Sequence, residues 1–188
     1  MTIRPATVRD VSGIAALITT FAQKGKMLFR SHAELYEALR DFFVADDNGA
    51  IVGVCALEIV WSDLAEVRSL AVDPARQGQG IGQALTRGVI EEARRLGIAR
   101  VFALTYEQRF FEKLGFHVVD KSALPLKVWS VCVKCPKRDG CDEIAMVKTV
   151  LQPDELPPPD TDTSAHHHYD VPTPLVQLRT PPDSIDSP

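Results

Sequence analysis

AEVRSLAVDPARQGQGIGQALTRGVIEEARRLG, running from Ala65 to Gly97, contains a strand, a glycine-rich turn and a helix in immediate succession. Val67, Leu70, Ala71 and Val72 read as a strand that stops at Asp73-Pro74, because proline has no N–H to give to a ladder. Strict alternation along it would put Glu66, Arg68, Leu70 and Val72 on one face. Ile81, Leu85, Val89, Ala93 and Leu96 then keep helical spacing. Arg94 and Arg95 complement the C-terminal dipole, and Gly97 stands where a left-handed cap is expected. Between strand and helix lies Arg76-Gln77-Gly78-Gln79-Gly80-Ile81-Gly82. Its three glycines remove the Cβ atoms that would hold a ligand off, and the unpaired N–H groups of a helix start aim at whatever binds, so the turn suits an anion such as a pyrophosphate. A tight strand-to-helix connection is the plainer alternative.

Working outward, Trp61-Ser62-Asp63-Leu64 turns the chain into this strand from an apolar run, Ala50 to Trp61. That run pairs with Phe42 to Ala45 across Asp46-Asp47-Asn48-Gly49, a hairpin signature. Upstream, Thr2 to Thr7 reads as a short strand before a helix that Asp10 caps and that buries Ile14, Leu17, Ile18 and Phe21. Lys24-Gly25-Lys26 breaks that helix. Ser31-His32-Ala33-Glu34 is a capping box that opens a second one through Leu35, Leu39 and Phe42. Downstream, Arg100 to Leu104 forms a strand parallel to the central one, since a helix crosses between them. Phe110, Phe111 and Leu114 define a short helix ended by Gly115, Phe116 to Val119 is a strand, and Asp142 to Val147 is the last. The pattern is a mixed α/β (α+β) sheet flanked by helices.

Composition narrows the function. The chain has 188 residues and is 45% apolar, enough for one globular core. Residues 1–151 carry 20 basic against 18 acidic side chains, so there is no nucleic-acid footprint, whereas 152–188 carry one arginine against seven acids. No run approaches the ~20 apolar residues of a membrane span, and the N-terminus lacks a secretion pattern. A soluble cytoplasmic protein is expected, with reduced or metal-binding cysteines rather than disulfides.

The loop lacks a Walker ending and the dinucleotide spacing. Gln77, Gly80 and Gly82 instead spell Q-x-x-G-x-G directly after a strand, which resembles the acetyl-CoA loop of the GNAT acetyltransferase superfamily. The words from Trp61 to Pro74, Phe102 to Thr105 and Phe110 to Phe116 resemble the acetyltransferase domain of N-acetylglutamate synthases, which open arginine biosynthesis. The likeness covers roughly residues 1–150. It implies a mostly antiparallel sheet whose one parallel pair, 65–72 and 100–104, is splayed to admit the pantetheine arm. It also implies acetyl-CoA as cosubstrate, held by Leu70, Ala71, Val72, Gln77, Gly78, Gln79, Gly80, Ile81, Gly82 and Phe111. No amino-acid kinase-like domain precedes this one, so a short stand-alone form is expected. The implied partner is a small amino acid, L-glutamate, without nucleic acid or membrane, and a homodimer is compatible with it. Acetylation of another amine or of a protein N-terminus is the alternative within the enzyme class, and a non-catalytic acetyl-CoA-binding or metal-sensing module is the alternative outside it.

Acetyl transfer to an amine needs a base for the ammonium, a donor for the developing oxyanion and a proton for the leaving thiolate. Glu66 is the expected base, its alternative being an ion pair with Arg68. A backbone N–H near Leu70 is the oxyanion donor. Many GNAT enzymes carry a tyrosine where this chain has Phe111, so the resemblance moves the hydroxyl to Thr105, with Tyr106 as runner-up and a strand-end hydrogen bond as the structural alternative for Thr105. Carboxylates of a dicarboxylic acceptor call for Arg30, Arg68 and Lys127, with Lys26 a weaker fourth. Each of these is also readable as a plain surface charge.

Cys132, Cys135 and Cys141 have C-x2-C-x5-C spacing without an evident fourth ligand, Cys55 lying in a core strand and His117 needing to be brought close; a reduced hairpin is preferred over a metal site. Nine of the 37 residues from Gln152 onward are proline and none is glycine, so residues 152–188 are expected to form a disordered acidic tail, His166 to His168 included.

Overall fold

The structure is a computed structural model that describes residues 1–125, 141–152 and 154–155. Lys127, Cys132, Cys135 and the tail beyond Glu155 lie outside the described residues. Strands β1 (Thr2–Pro5), β2 (Phe42–Asp47), β3 (Ala50–Trp61), β4 (Leu64–Val72), β5 (Arg100–Thr105), β6 (His117–Val118) and β7 (Ile144–Thr149) form one sheet in the order β1-β2-β3-β4-β5-β7-β6. Every neighbouring pair is antiparallel except β4 and β5. Helices α1 (Val11–Ala22) and α2 (His32–Glu37) cover one face, and α3 (Ile81–Arg95) and α4 (Gln108–Glu112) the other. This is the mixed sheet expected from the β-α-β crossover and its antiparallel additions.

Two cores result. Val11, Ile14 and Ile18 of α1 pack with Leu35 on Val44, Val54 and Ala71. Ile81, Leu85, Val89 and Ala93 of α3 pack on Leu57, Ala65, Val67 and Val101 on the other side. Helix α3 lies close to the sheet at Gly53, where a Cβ would stand 2.9 Å from Leu85 Cδ1 and 3.0 Å from Ile81 Cγ2.

Four expectations are corrected. Leu96 is 50% exposed, because α3 stops at Arg95 and the turn at Gly97 delivers Ile98 to the core in its place. Helix α2 ends at Glu37, so Leu39 falls in a 3-10 turn and Phe42 is claimed by β2. Asp10 does not cap α1 with its side chain. Its Oδ2 accepts from the Thr7 N–H at 2.7 Å and from Arg4 Nη1 at 2.7 Å, tying the first turn back to β1.

The fourth correction concerns β4. Arg68 is registered with Ala56 and Ala71 with Val54, so Ser69 and Leu70 together stand against Cys55. Ser69 takes φ 53, the left-handed conformation of a bulge residue. The extra residue inverts the alternation: Ala65 and Val67 before it and Leu70 and Val72 after it all face α3. Glu66 and Arg68 therefore project on the opposite face from Leu70 and Val72.

Candidate functional site

Strands β4 and β5 pair only over Leu64–Glu66 with Arg100–Phe102. Beyond Glu66 they separate, and a cavity of about 1150 Å³ opens between them. Several regions converge on it: the end of α1 with the bend that follows it to Arg30, the half-strand and loop from Glu66 to Gln83, the exit of β5 at Leu104 to Glu107 with the phenylalanines of α4, and Cys141 to Glu143 before β7. A parallel pair cannot part in mid-sheet without leaving backbone groups unmatched, so the opening presents polar edges to whatever enters.

At one end lies the glycine loop. Gly80 is the N-cap of α3 with φ 79, Gly78 has φ 77, and a Cβ on either would meet nothing within 4 Å. The left-handed backbone favours glycine there, and the missing side chains leave an open cradle in front of the helix start. Gln77 Nε2 donates to the Val72 carbonyl at 3.2 Å and so anchors the loop to the end of β4. Gly82 is held against the Phe110 ring. Gln79 does not line the cavity; its Oε1 accepts from Arg76 Nε at 3.2 Å. Arg76, which sequence reasoning left without a role, lines the cavity and pairs with Asp47 at 2.8 Å. The loop's own basic residue and the acidic hairpin turn were the available signal. These features fit a pyrophosphate-bearing ligand: an open cradle, helix-start N–H groups and one guanidinium.

At the other end Glu66 meets a charge cluster. Only 16% of its side chain is exposed. Burial raises its pKa to about 7; the Arg68 charge works against that rise, while Glu58 and Glu143 add to it. Arg68 Nη1 lies 3.9 Å from Glu66 Oε2 and in close contact with Glu58 Oε2. Arg30 Nη2 is 3.9 Å from the same Glu58 oxygen, and its guanidinium lies 5.8 Å from the centre of the Phe42 ring. Burial and then the like charge of Arg68 lower the Arg30 pKa. Glu58 was not singled out in the sequence. It faces Glu66 directly across the β3–β4 pair, because the register shifts by one residue at Val60; counted from the turn at 61–64 without that shift, Glu58 would stand against Val67.

Thr105 is buried, lines the cavity, and accepts from the Glu107 N–H at 2.9 Å, so the turn-forming alternative is realised while the hydroxyl keeps its own proton to donate. Tyr106 lines the cavity and is 37% exposed. Phe111 reaches the cavity wall but belongs to the core, edge-on to Phe110 and Phe116. Lys26 sits 4.0 Å from Glu107 at the exposed rim. Cys55 is fully buried, and burial pushes its thiol up to about 12. Cys141 lies beside the cavity with its Sγ 3.8 Å from Glu143 Oε2.

The family model for the acetyltransferase (GNAT) domain matches residues 38–118, which hold the splayed strand and the loop. An uncharacterized N-acetyltransferase of Chlorobaculum tepidum is 41% identical over 148 residues, 79% of this chain and 96% of that protein. The chain belongs to the GNAT acetyltransferase family. The amino-acid acetyltransferase of Mycobacterium tuberculosis is 41% identical over 131 residues, 68% of this GNAT chain and 74% of the relative. Among solved structures, the N-acetylglutamate synthase of Neisseria gonorrhoeae complexed with coenzyme A and N-acetyl-glutamate superposes with a TM-score of 0.73 at 29% identity. That match covers 80% of this chain and 35% of the synthase, so the GNAT domain corresponds to about a third of the larger enzyme.

Proposed function

We propose that this GNAT enzyme transfers the acetyl group of acetyl-CoA to the α-amino group of L-glutamate, as a cytoplasmic step of arginine biosynthesis. Acetyl-CoA is its cosubstrate. The observation that carries the acceptor reading is the convergence of a buried carboxylate, Glu66, and two arginines, Arg30 and Arg68, on the same cavity as the glycine loop. An amine acceptor must lose a proton, and a base whose pKa is near 7 takes it at neutral pH while still being able to release it. Arg30 and Arg68 bring planar donors to an acceptor's carboxylates. Backbone N–H groups beside the bulge at Leu70 polarise the thioester oxygen, and the Thr105 hydroxyl supplies or relays the proton needed by the leaving thiolate. Leu70, Ala71, Val72, Phe111 and residues 77–78 and 80–82 cradle the nucleotide and pantetheine portions, while Lys127 is a third cation for the acceptor.

The test is a substrate screen: purified protein, acetyl-CoA and each amino acid in turn, with thiol release and product mass as readouts. Acetylated glutamate is the expected dominant product. Turnover of a different amine with none of glutamate would overturn the acceptor and leave the acetyl donor untouched.

A further inference from the structure

We propose that Glu58 is a positioning residue: by holding Arg68 to itself it keeps that guanidinium from neutralising Glu66, and so preserves a carboxylate basic enough to deprotonate the acceptor. The inference rests on Glu66 being the base.

The geometry begins with strand register. Glu58 on β3 and Glu66 on β4 are directly paired across the antiparallel ladder, and Arg68 lies two residues along β4 on the face that Glu66 shares. Two carboxylates in that relation repel, and one arginine between them must divide its donors. It does so unequally: Arg68 Nη1 is in close contact with Glu58 Oε2 but 3.9 Å from Glu66 Oε2. The same Glu58 oxygen also attracts Arg30 Nη2 at 3.9 Å, so one carboxylate draws two guanidinium groups that repel each other.

The charged groups acting on Glu66 are Arg68 on its own strand, Glu58 on β3, Arg30 from the bend before α2, and Glu143 before β7. Those around Glu58 also include Asp41, after α2. Within this set, removing the Glu58 charge acts on Glu66 twice in the same direction. Arg68 loses its nearer partner and has Glu66 within reach, and one like charge disappears from across the ladder. Both changes favour ionised Glu66 and weaken it as a base.

The experiment is the pH dependence of kcat/KM for the amine in wild type, Glu58→Gln and Glu66→Gln, with a carboxyl ¹³C NMR titration of Glu66 assigned through its loss in Glu66→Gln. Glu58→Gln is expected to move the acidic limb and the NMR midpoint together to lower pH by about one unit, and to lower the neutral-pH plateau a few-fold. Glu58→Asp keeps the charge and is expected to titrate nearer to wild type than Glu58→Gln. An unmoved midpoint in Glu58→Gln, or the reverse order of the two variants, overturns the role of Glu58. A Glu66→Gln enzyme that keeps the wild-type limb overturns the base assignment instead, and the NMR midpoint still reports separately whether Glu58 diverts Arg68.

Discussion

Two arginine–carboxylate clusters stand on this sheet, one of Arg4 with two aspartates and one of two arginines with two glutamates, and they are opposite in behaviour. In the first, Arg4 meets Asp10 with both Nη atoms at 2.7 and 2.9 Å and reaches Asp46 at 2.8 Å. Thr7 gives Asp10 two further hydrogen bonds. In the second, Arg68 and Arg30 share Glu58, and Glu66 is left with an arginine at 3.9 Å. Hydrogen bonds from Arg4 hold the Asp10 carboxyl well below the usual carboxylate range, whereas burial lifts Glu66 to about 7. Burial acts on both, so burial alone does not decide the outcome. Donors aimed at Asp10 outweigh its desolvation, and their scarcity at Glu66 lets desolvation win. One cluster ties β1 to the turn that leads into α1, and the other leaves a carboxylate with a raised pKa beside the cavity.

The contrast breaks most sharply at Glu66. Glu66→Gln is expected to lower kcat on the order of 10²-fold or more, because it keeps the shape and removes the base. Its effect on stability has the opposite sign. A carboxyl whose folded pKa is raised from 4.5 to about 7 favours the folded state below its unfolded value and loses that contribution as pH rises through 7. The variant should therefore melt above wild type at pH 8 and converge with it below about pH 4, read from Tm against pH. A kcat like that of wild type at every pH would remove Glu66 from the chemistry.

Asp10→Asn should give the mirror image. It takes charge-assisted hydrogen bonds from a buried group, so Tm at pH 7 should fall by roughly 5 °C or more, from about 2–3 kcal/mol. The folded pKa of Asp10 is depressed, so its contribution is present at neutral pH and fades as pH falls below about 4. The deficit should shrink in acid while kcat at neutral pH stays at the wild-type level. A loss of kcat without loss of Tm would show that the two clusters communicate.

Arg30→Ala sharpens the comparison inside the second cluster. It should raise KM for glutamate about tenfold or more while leaving KM for acetyl-CoA unchanged, as expected for a contact made equally in ground and transition states. A change confined to kcat would place Arg30 with the base rather than with the acceptor. Removing residues 158–188 should do least, since that proline-rich acidic stretch has little apolar surface to contribute to either cluster. A Tm shift beyond about 2 °C, or any change in kcat, would count against treating those residues as a separate tail.

Much of the frame was legible in the residues because local chemistry and tertiary demand agree there. The Ser31–Glu34 capping box, the Asp46–Gly49 hairpin and the strand-loop-helix from Ala65 each carry their own signal, and each forms where expected. Ser69 shows where legibility stops. Nothing in Arg68-Ser69-Leu70 announces a left-handed residue, since glycine is absent and the apolar pattern tolerates either face. The bulge is imposed by the register with β3 and by the parting from β5. Glu58 was missed for a related reason: as a single residue it is an ordinary strand glutamate, and its meaning comes only from what stands opposite it. Asp10 reads as a cap for the nearest helix start, but Arg4, six residues upstream on β1, and the Thr7 N–H take its carboxylate instead. Roles that depend on one element are written in sequence, whereas roles that depend on register emerge from the assembled sheet.

Gly53 sets the height at which α3 rides above the sheet, through the one carbon it lacks. Ile81 and Leu85, which close over it, belong to the same helix whose first turn presents Gly80 and Gly82 to the cavity. A methyl group there would act as a shim beneath the near end of a lever. With contacts already at 2.9 Å to Leu85 Cδ1 and 3.0 Å to Ile81 Cγ2, Gly53→Ala must displace these side chains, and because Ile81 opens α3 between Gly80 and Gly82, the displacement would be registered at the glycine loop.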